Sequence, residues 1–321
     1  MTILVTGAAG FIGSYVCREL LERGEKVIGV DNLNDYYEVS LKKARLEKLQ
    51  DKNFTFIITD ISDNDGLGKA LQPYLSQIEY VVHLAGYAGV RHSMQHPFLY
   101  AEANIIGHLA LLEICRKAPN FKHMVYASSS SVYGLDIKTP FSLEEKADSP
   151  ISLYGASKRC DEILSASYAH LYGLQLTGLR FFTVYGPWGR PDMAYYSFTK
   201  AIFAGQPIQV YNKGNMQRDF TWIDDIVSGI LGALYKLKSP GHRYYNLGNN
   251  KPEQLMDVIA ILEQATAKKA VINFAPTPPG DVFITYSDIS QSQKDFGYSP
   301  KTSIKEGLPK FVEWFKGYYK T

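Results

Sequence analysis

Met1-Thr2-Ile3-Leu4-Val5-Thr6-Gly7-Ala8-Ala9-Gly10-Phe11-Ile12-Gly13 opens the chain. Ile3, Leu4 and Val5 form a short apolar run, and three glycines follow at intervals of three. Ile12, Val16, Leu20 and Leu21 then recur at helical spacing as far as Gly24. The segment reads as a strand, a tight turn and a helix over 11–23. Gly7 permits the turn, Gly10 lets backbone amides approach a diphosphate, and Gly13 lets the helix pack closely on the strand. The first helical residues, Phe11 and Ile12, add the positive end of the helix dipole. The next strand, 26–30, ends at Asp31. An acid there accepts hydrogen bonds from adenosine ribose hydroxyls and repels a 2′-phosphate, which selects NAD over NADP. Past a third strand, 54–58, Asp60-Ile61 stands where an adenine would lie, and Asp60 reads equally well as a helix cap.

Working outward, the alternation continues. Helical stretches are expected at 41–49, 63–75, 100–117 and 152–171, and strands at 80–84, 123–127 and 174–181. Repeated strand–helix–strand units require parallel pairing with helices on both faces. The fold class is therefore α/β, a Rossmann-type doubly wound parallel sheet. Past residue 182 the pattern becomes mixed. A loop, Gly186-Pro187-Trp188-Gly189-Arg190-Pro191, leads into shorter elements at 196–204, 208–211, 223–237, 244–247, 254–264 and 271–274, then a final helix at 304–319. Residues 1–182 are expected to form the cofactor domain and 183–321 mainly a smaller α/β substrate domain, with a segment near 220–248 packing back on the first.

Composition narrows the class of protein. Of 321 residues, 45% are hydrophobic and 21% charged, which excludes a disordered chain. A net charge of +2 without a basic run argues against nucleic acid as a partner. Cys17, Cys115 and Cys160 lack metal-ligand spacing and are odd in number, so neither a metal site nor a disulfide framework is expected. No apolar run approaches the ~18 residues a membrane span needs. The first residues lack a basic leader, so a cytoplasmic protein with reduced thiols is expected.

Tyr154-Gly155-Ala156-Ser157-Lys158 puts Tyr and Lys one turn apart on one helix face. A carbinol carbon gives up hydride only if its hydroxyl loses a proton. A free phenol, with a pKa of ~10, is a poor base, and a nearby ammonium favours the phenolate. A second pair, Tyr196 and Lys200, lies outside the repeating units and is read as structural. The strand ending in Ser128-Ser129-Ser130-Ser131 supplies hydroxyls at the carboxyl end of the sheet, where such folds bind ligands. Ser129 and Ser131 are both candidates to orient the substrate hydroxyl, and the run of serines leaves the register open.

Taken together, residues 6–13, 31–37, 83–86, 88–91, 128–134, 154–158, 180–190 and 218–225 resemble the extended short-chain dehydrogenase/reductase family over nearly the whole chain. The resemblance is strongest to nucleotide-sugar 4-epimerases and, among them, UDP-glucuronate 4-epimerases. It implies tightly held NAD, contacted by Gly7, Gly10, Phe11, Ile12, Gly13, Asp31, Asn32, Asp60, Ile61, Leu84, Ala85, Tyr154 and Lys158. It also implies a UDP-sugar substrate and a homodimer built on helices 100–117 and 152–171. Ala85-Gly86-Tyr87 departs from the family's Ala-Ala-Gln.

The resemblance also sorts the chemistry. Related decarboxylases carry Glu at the position of Ser131, and related dehydratases carry Asp-Glu at Ser130-Ser131. Hydroxyls at these positions cannot do that acid–base work near neutrality, so oxidation and return of hydride, an epimerisation, is favoured. A 4-keto glucuronate is a β-keto acid that loses carbon dioxide readily, so its carboxylate must be held out of line with the carbonyl. Arg190 is the candidate, with Ser131 and Arg91 beside it. The resemblance implies that Arg218 meets the diphosphate and Asp281 the nucleotide ribose, with Thr183 where glucose/galactose epimerases often carry Asn. The expected activity is NAD-dependent interconversion of UDP-glucuronate and UDP-galacturonate. The alternatives are a UDP-glucose or UDP-N-acetylglucosamine 4-epimerase and, from another class, a non-catalytic NAD-sensing protein.

Overall fold

The computed structural model describes residues 1–135, 138–237, 240–276 and 282–321. The first six strands are β1 (Thr2–Thr6), β2 (Lys26–Asp31), β3 (Phe54–Ile58), β4 (Tyr80–His83), β5 (His123–Ser129) and β6 (Leu176–Phe181). There follow β7 (Thr183–Tyr185), β8 (Pro207–Tyr211), β9 (Gln217–Trp222), β10 (His242–Leu247), β11 (Pro252–Gln254), β12 (Val271–Ala275) and β13 (Ile284–Thr285). Seven of them make one parallel sheet in the order β10-β6-β5-β4-β1-β2-β3. The order reverses between β1 and β4, and a crevice opens there at the carboxyl ends of the strands.

Residue alternation explains the two layers of helices. Ile3, Val5, Val27, Val82 and Val125 face one apolar cluster, with Val16 and Leu20 of helix Phe11–Glu22 and Ile226 and Ile230 of helix Ile223–Lys236. Leu4, Ile28, Val81, Met124 and Tyr126 face the other, with Leu67, Leu111 and Ala169 from helices Asn64–Leu71, Gly107–Lys117 and Leu153–Tyr172. Strands apolar on both faces belong inside a parallel sheet. The second half places β11, β9, β13 and β7 in a small mixed sheet and pairs β12 with β8.

Several boundaries differ from the sequence reading. The stretch 63–75 stops as a helix at Leu71, and its cap is Asp63, whose carboxylate accepts from the Gly66 amide, rather than Asp60. The stretch 100–117 is three pieces, Pro97–Tyr100, a π-wound turn Ala101–Ile106, and Gly107–Lys117. Helices Val90–Gln95 and Ser290–Phe296 and strands β7, β11 and β13 were not anticipated, being short and partly polar, nor was β9, which opens on the polar run Gln217-Arg218-Asp219. One expectation is corrected: helical residues Pro97–Lys117 are long and apolar enough to cross a membrane by length and composition. Half of that window is buried in the protein, as in the core helix of a soluble domain. Tyr196 is fully buried among Phe311, Trp314, Phe315 and Tyr319, so in the second Tyr–Lys pair the tyrosine is core and Lys200 is exposed.

Candidate active site

One cleft of about 930 Å³ runs along the carboxyl ends of the sheet, and every candidate residue lines it except Asp281, which lies outside the described residues. That volume is at the large end for small-molecule sites. In its cofactor half, the turn after β1 is bare. Gly7 has φ +73°, and a Cβ there would stand 2.8 Å from the Ala85 amide nitrogen. A Cβ on Gly13 would meet the Gly7 carbonyl oxygen at 2.0 Å, and one on Gly10 the same oxygen at 2.9 Å. Side chains would therefore fill the cradle that a diphosphate needs at the start of helix Phe11–Glu22, so the residues present fit a dinucleotide.

Asp31, at the end of β2, accepts from the amides of Ala9 (3.2 Å) and Leu33 (2.9 Å), which fixes its carboxylate over the turn. Asn32 donates to Asp60 at 2.7 Å. Burial raises the Asp60 carboxyl, but hydrogen bonds from the Ser62 hydroxyl and amide and from Asn32 outweigh it and hold the group below the usual range. Lys42, unremarked in the sequence, reaches Asn34 (2.8 and 2.9 Å) on the same rim. Leu84 and Ala85 follow β4, and the Ala85 amide donates to Thr6 at 3.2 Å.

The middle of the cleft is built by packing between β5 and helix Leu153–Tyr172. Ser152 caps that helix by accepting from the Gly155 amide (3.0 Å), and Ser93 accepts from the Tyr154 amide (3.2 Å). A Cβ on Gly155 would lie 2.4 Å from the Ser131 carbonyl oxygen, so the helix start abuts the serine turn. Tyr154 is half-buried at the cleft and Lys158 is buried one turn on. The serines divide their work. Ser128 is withdrawn, donating to Glu162 at 2.7 Å, while Ser129 accepts from the Ser131 amide at 3.1 Å. Ser129, Ser130 and Ser131 all line the cleft.

The Gly86-Tyr87 segment is held by Asn104. Gly86 has φ +147°, and a Cβ there would sit 2.7 Å from the Asn104 side-chain oxygen. Asn104, on the π-wound turn, accepts from the Tyr87 amide (2.8 Å) and donates to the Tyr87 carbonyl (3.1 Å) and Ser157 hydroxyl (2.9 Å). The turn thus ties the 86–87 backbone to the helix carrying Tyr154 and Lys158.

At the substrate end, Arg190 and Arg91 come from different elements. Arg190 grips Asp192 with two donors, Nε at 3.0 Å and Nη2 in a second short contact, and donates to the Ala88 carbonyl at 3.0 Å. Burial alone would push the Arg190 guanidinium toward neutrality, but Asp192 holds it charged. Arg91 lies 4.5 Å over the Tyr211 ring and donates to its hydroxyl at 3.2 Å. Arg218, on β9, donates to the carbonyls of Gln217 (2.9 Å) and Phe283 (3.2 Å). Thr183 opens β7 beside it. Tyr185 is buried, donating to the Ser303 carbonyl at 3.0 Å, and so supports the loop.

Sequence reasoning missed three charged residues. Arg45 donates from its guanidinium to the carbonyls of Ala9, Trp188 and Gly189, joining the cofactor turn to the loop that carries Arg190. Asp192 was unremarked beside Arg190, although the spacing of the two residues was visible. Asp161 pairs with Lys158 at 3.0 Å, both buried. Its helical phase, three residues past Lys158, was the available signal. Among the described residues, no group of three His, Cys, Asp or Glu could hold a metal, and the three cysteines are free.

The profile of the NAD dependent epimerase/dehydratase family matches residues 3–248. UDP-glucuronate 4-epimerase 2 of Arabidopsis thaliana is 47% identical over 335 residues, covering 100% of this chain and 77% of that protein. The crystal structure of UDP-glucuronic acid 4-epimerase from Bacillus cereus, in complex with UDP-glucuronic acid and NAD, superposes with a TM-score of 0.93 at 36% identity, covering 99% of this chain and 100% of that one. A UDP-glucose 4-epimerase from Thermotoga maritima with UDP-glucose superposes at 0.89, with 32% identity, 99% of this chain and 100% of that one.

Proposed function

Because this chain belongs to the NAD dependent epimerase/dehydratase family, we propose that it inverts C4 of UDP-glucuronate to give UDP-galacturonate, with NAD as resident cofactor. One observation carries the reading: Tyr154, three serine hydroxyls and Arg190 converge on the cleft that begins at the glycine cradle, and the serine turn offers no carboxyl. The cofactor contacts are the cradle residues Gly7, Gly10, Phe11, Ile12 and Gly13, with Asp31, Asn32, Asp60, Ile61, Leu84, Ala85 and Lys158. NAD supplies a two-electron acceptor for the C4 carbon and returns the same electrons.

Tyr154, as phenolate, takes the proton of the 4-hydroxyl and later restores it to the opposite face. Lys158 keeps positive charge near that phenol. Ser129 or Ser131 donates to the 4-oxygen and keeps it against Tyr154. The 4-keto sugar turns about its diphosphate link between the two half-reactions, and a cleft of about 930 Å³ has room for that rotation. Arg190, with Ser130, Ser131, Thr183 and Arg91 around it, holds the carboxylate out of line with the ketone, which protects the β-keto acid from losing carbon dioxide. Arg218 and Asp281 serve the nucleotide.

Residues 1–182, with β10 returning beside β6, make the cofactor half, and 183–321 mainly the substrate half. A homodimer through helices 100–117 and 152–171 is supported by exposed Ile106 (47%), Ile163 (53%) and Leu171 (66%) on them. We place the enzyme in the cytoplasm, supplying UDP-galacturonate to polysaccharide synthesis. A neutral-sugar epimerase is the second reading, favoured by the Arg190–Asp192 pair, since an arginine that keeps its own carboxylate would not recruit one from substrate. Mixing the protein with UDP-glucuronate and separating the products by chromatography tests the choice. UDP-galacturonate is expected from the native protein, and none from Tyr154→Phe with NAD still bound. Conversion of UDP-glucose alone would select the second reading.

A further inference from the structure

Lys158 has a neighbour on each side along its helix. One turn toward the N-terminus is Tyr154, at the cleft, and one turn toward the C-terminus is Asp161, with no exposed surface. Asp161 Oδ2 takes the Lys158 ammonium at 3.0 Å, while its Oδ1 is buried with no hydrogen-bond partner. A half-satisfied carboxylate in the interior weakens a fold, because removing it from water costs more than one ion pair returns. Packing therefore does not account for it. The groups facing it are few: Lys158 and Glu162 on its own helix, with Cys160 beside them, His108 from helix Gly107–Lys117, and Tyr126 from β5. His83 of β4 faces the lysine rather than Asp161. His83 and His108 are both kept neutral by burial, so Lys158 is the cation on which this carboxylate acts.

We propose that Asp161 is a positioning residue for the Tyr154–Lys158 pair, drawing the ammonium toward the sheet side of the helix and setting how much of its positive charge reaches the Tyr154 phenol. When Asp161 is ionised, the pair with Lys158 is close to neutral and the phenol feels little field. When Asp161 is protonated or replaced by a neutral residue, the ammonium acts on the phenol undiminished, and the phenolate forms at lower pH. Burial pushes the Asp161 carboxyl up to about 7, against the opposing pull of Lys158, so this exchange falls near neutral pH. The proton that leaves Tyr154 and the proton on Asp161 are therefore coupled through one lysine.

The proposal rests on Tyr154 being the base, so its test is independent of the sugar turned over. The ultraviolet absorbance of tyrosinate is titrated in NAD-loaded protein, with Tyr154→Phe subtracted to isolate the one phenol. Replacing one buried charge one to two turns away should lower the Tyr154 midpoint by about one pH unit in both Asp161→Asn and Asp161→Ser. Asp161→Glu, which keeps the charge, should stay near the native midpoint. Midpoints in the neutral variants that match the native protein overturn the proposal. So does a neutral variant that no longer folds by circular dichroism, since Asp161 would then be holding the fold. If UDP-glucuronate is not converted but the midpoint moves, the substrate assignment fails and this one stands.

Discussion

Replacing Arg45 with Met tests whether one side chain holds the two halves of the cleft together. Arg45 is 2% exposed. Its guanidinium donates to Trp188 O at 3.0 and 2.6 Å, Ala9 O at 3.0 Å, Gly189 O at 3.1 Å and Tyr37 Oη at 2.6 Å. Met keeps most of the stem volume and removes every donor. Three buried carbonyls then lose a partner, each at about 1–3 kcal/mol, with some recovered by water, so the loss is about 3–5 kcal/mol. For a chain of this size that is a Tm lower by roughly 4–8 °C. Ala9 lies in the cofactor turn, and Trp188 and Gly189 precede Arg190. The variant should therefore bind NAD more weakly and show a higher KM for the uronate, with the chemical step less affected. Thermal melting with and without NAD, alongside initial rates, reads all three. A Tm within about 3 °C of native, with KM unchanged, would refute the bridging role.

Other outcomes follow from the same geometry. Asp31→Ala removes the carboxylate that repels a 2′-phosphate, so the preference for NAD over NADP should fall at least about tenfold in a binding titration, an effect of roughly 1.4 kcal/mol. Arg190→Ala should impair UDP-glucuronate turnover about a hundredfold while leaving UDP-glucose binding within a few-fold, and should release decarboxylated sugar; equal losses for both sugars would count against the clamp. Stability should fall on mild acidification. Burial pushes His83 down to about 3 and both His123 and His242 to about 4, and holds His108 well below its usual value. Below pH ~6.5 the unfolded chain takes up these protons and the native one does not, which costs about 5 kcal/mol between pH 7.5 and 5.5. Asp161, raised to about 7, runs the other way. It binds its proton in the native state first and offsets about 2 kcal/mol, leaving a net loss of about 3 kcal/mol. Urea midpoints at the two pH values measure it, and an unchanged midpoint would mean those rings are not buried neutral.

The βαβ half was readable because its strands are apolar on both faces and its helices follow a 3.6-residue period. The predicted strand at 54–58 coincides with the observed Phe54–Ile58, and the helix at 11–23 runs one residue past the observed Phe11–Glu22. The glycine turn was readable because tight approach leaves no alternative residue. Strands β7, β11 and β13 were not, since they are short, and β9 was not, since it opens on the polar run Gln217-Arg218-Asp219; all four owe their extended form to pairing with one another. Helix Val90–Gln95 has no periodic apolar face to announce it. At the site, residue types pointed to Tyr154, Lys158, the serines and Arg190, but partners did not show. Asp161 and Arg45 look like solvent-facing helix residues in a sequence, and only the packing around them reveals burial. The same limit applied to Ser128, whose hydroxyl is taken by Glu162, itself locked to Arg180 by contacts of 2.8 and 2.8 Å.

The central claim is that a single phenol and a resident dinucleotide oxidise and re-reduce one sugar carbon without exchange with solvent. UDP-glucuronate carrying deuterium at C4 tests this most directly, with the epimeric product analysed by mass spectrometry after many turnovers. The account predicts that the product keeps its deuterium at C4. Product that has exchanged the label for solvent hydrogen would contradict it.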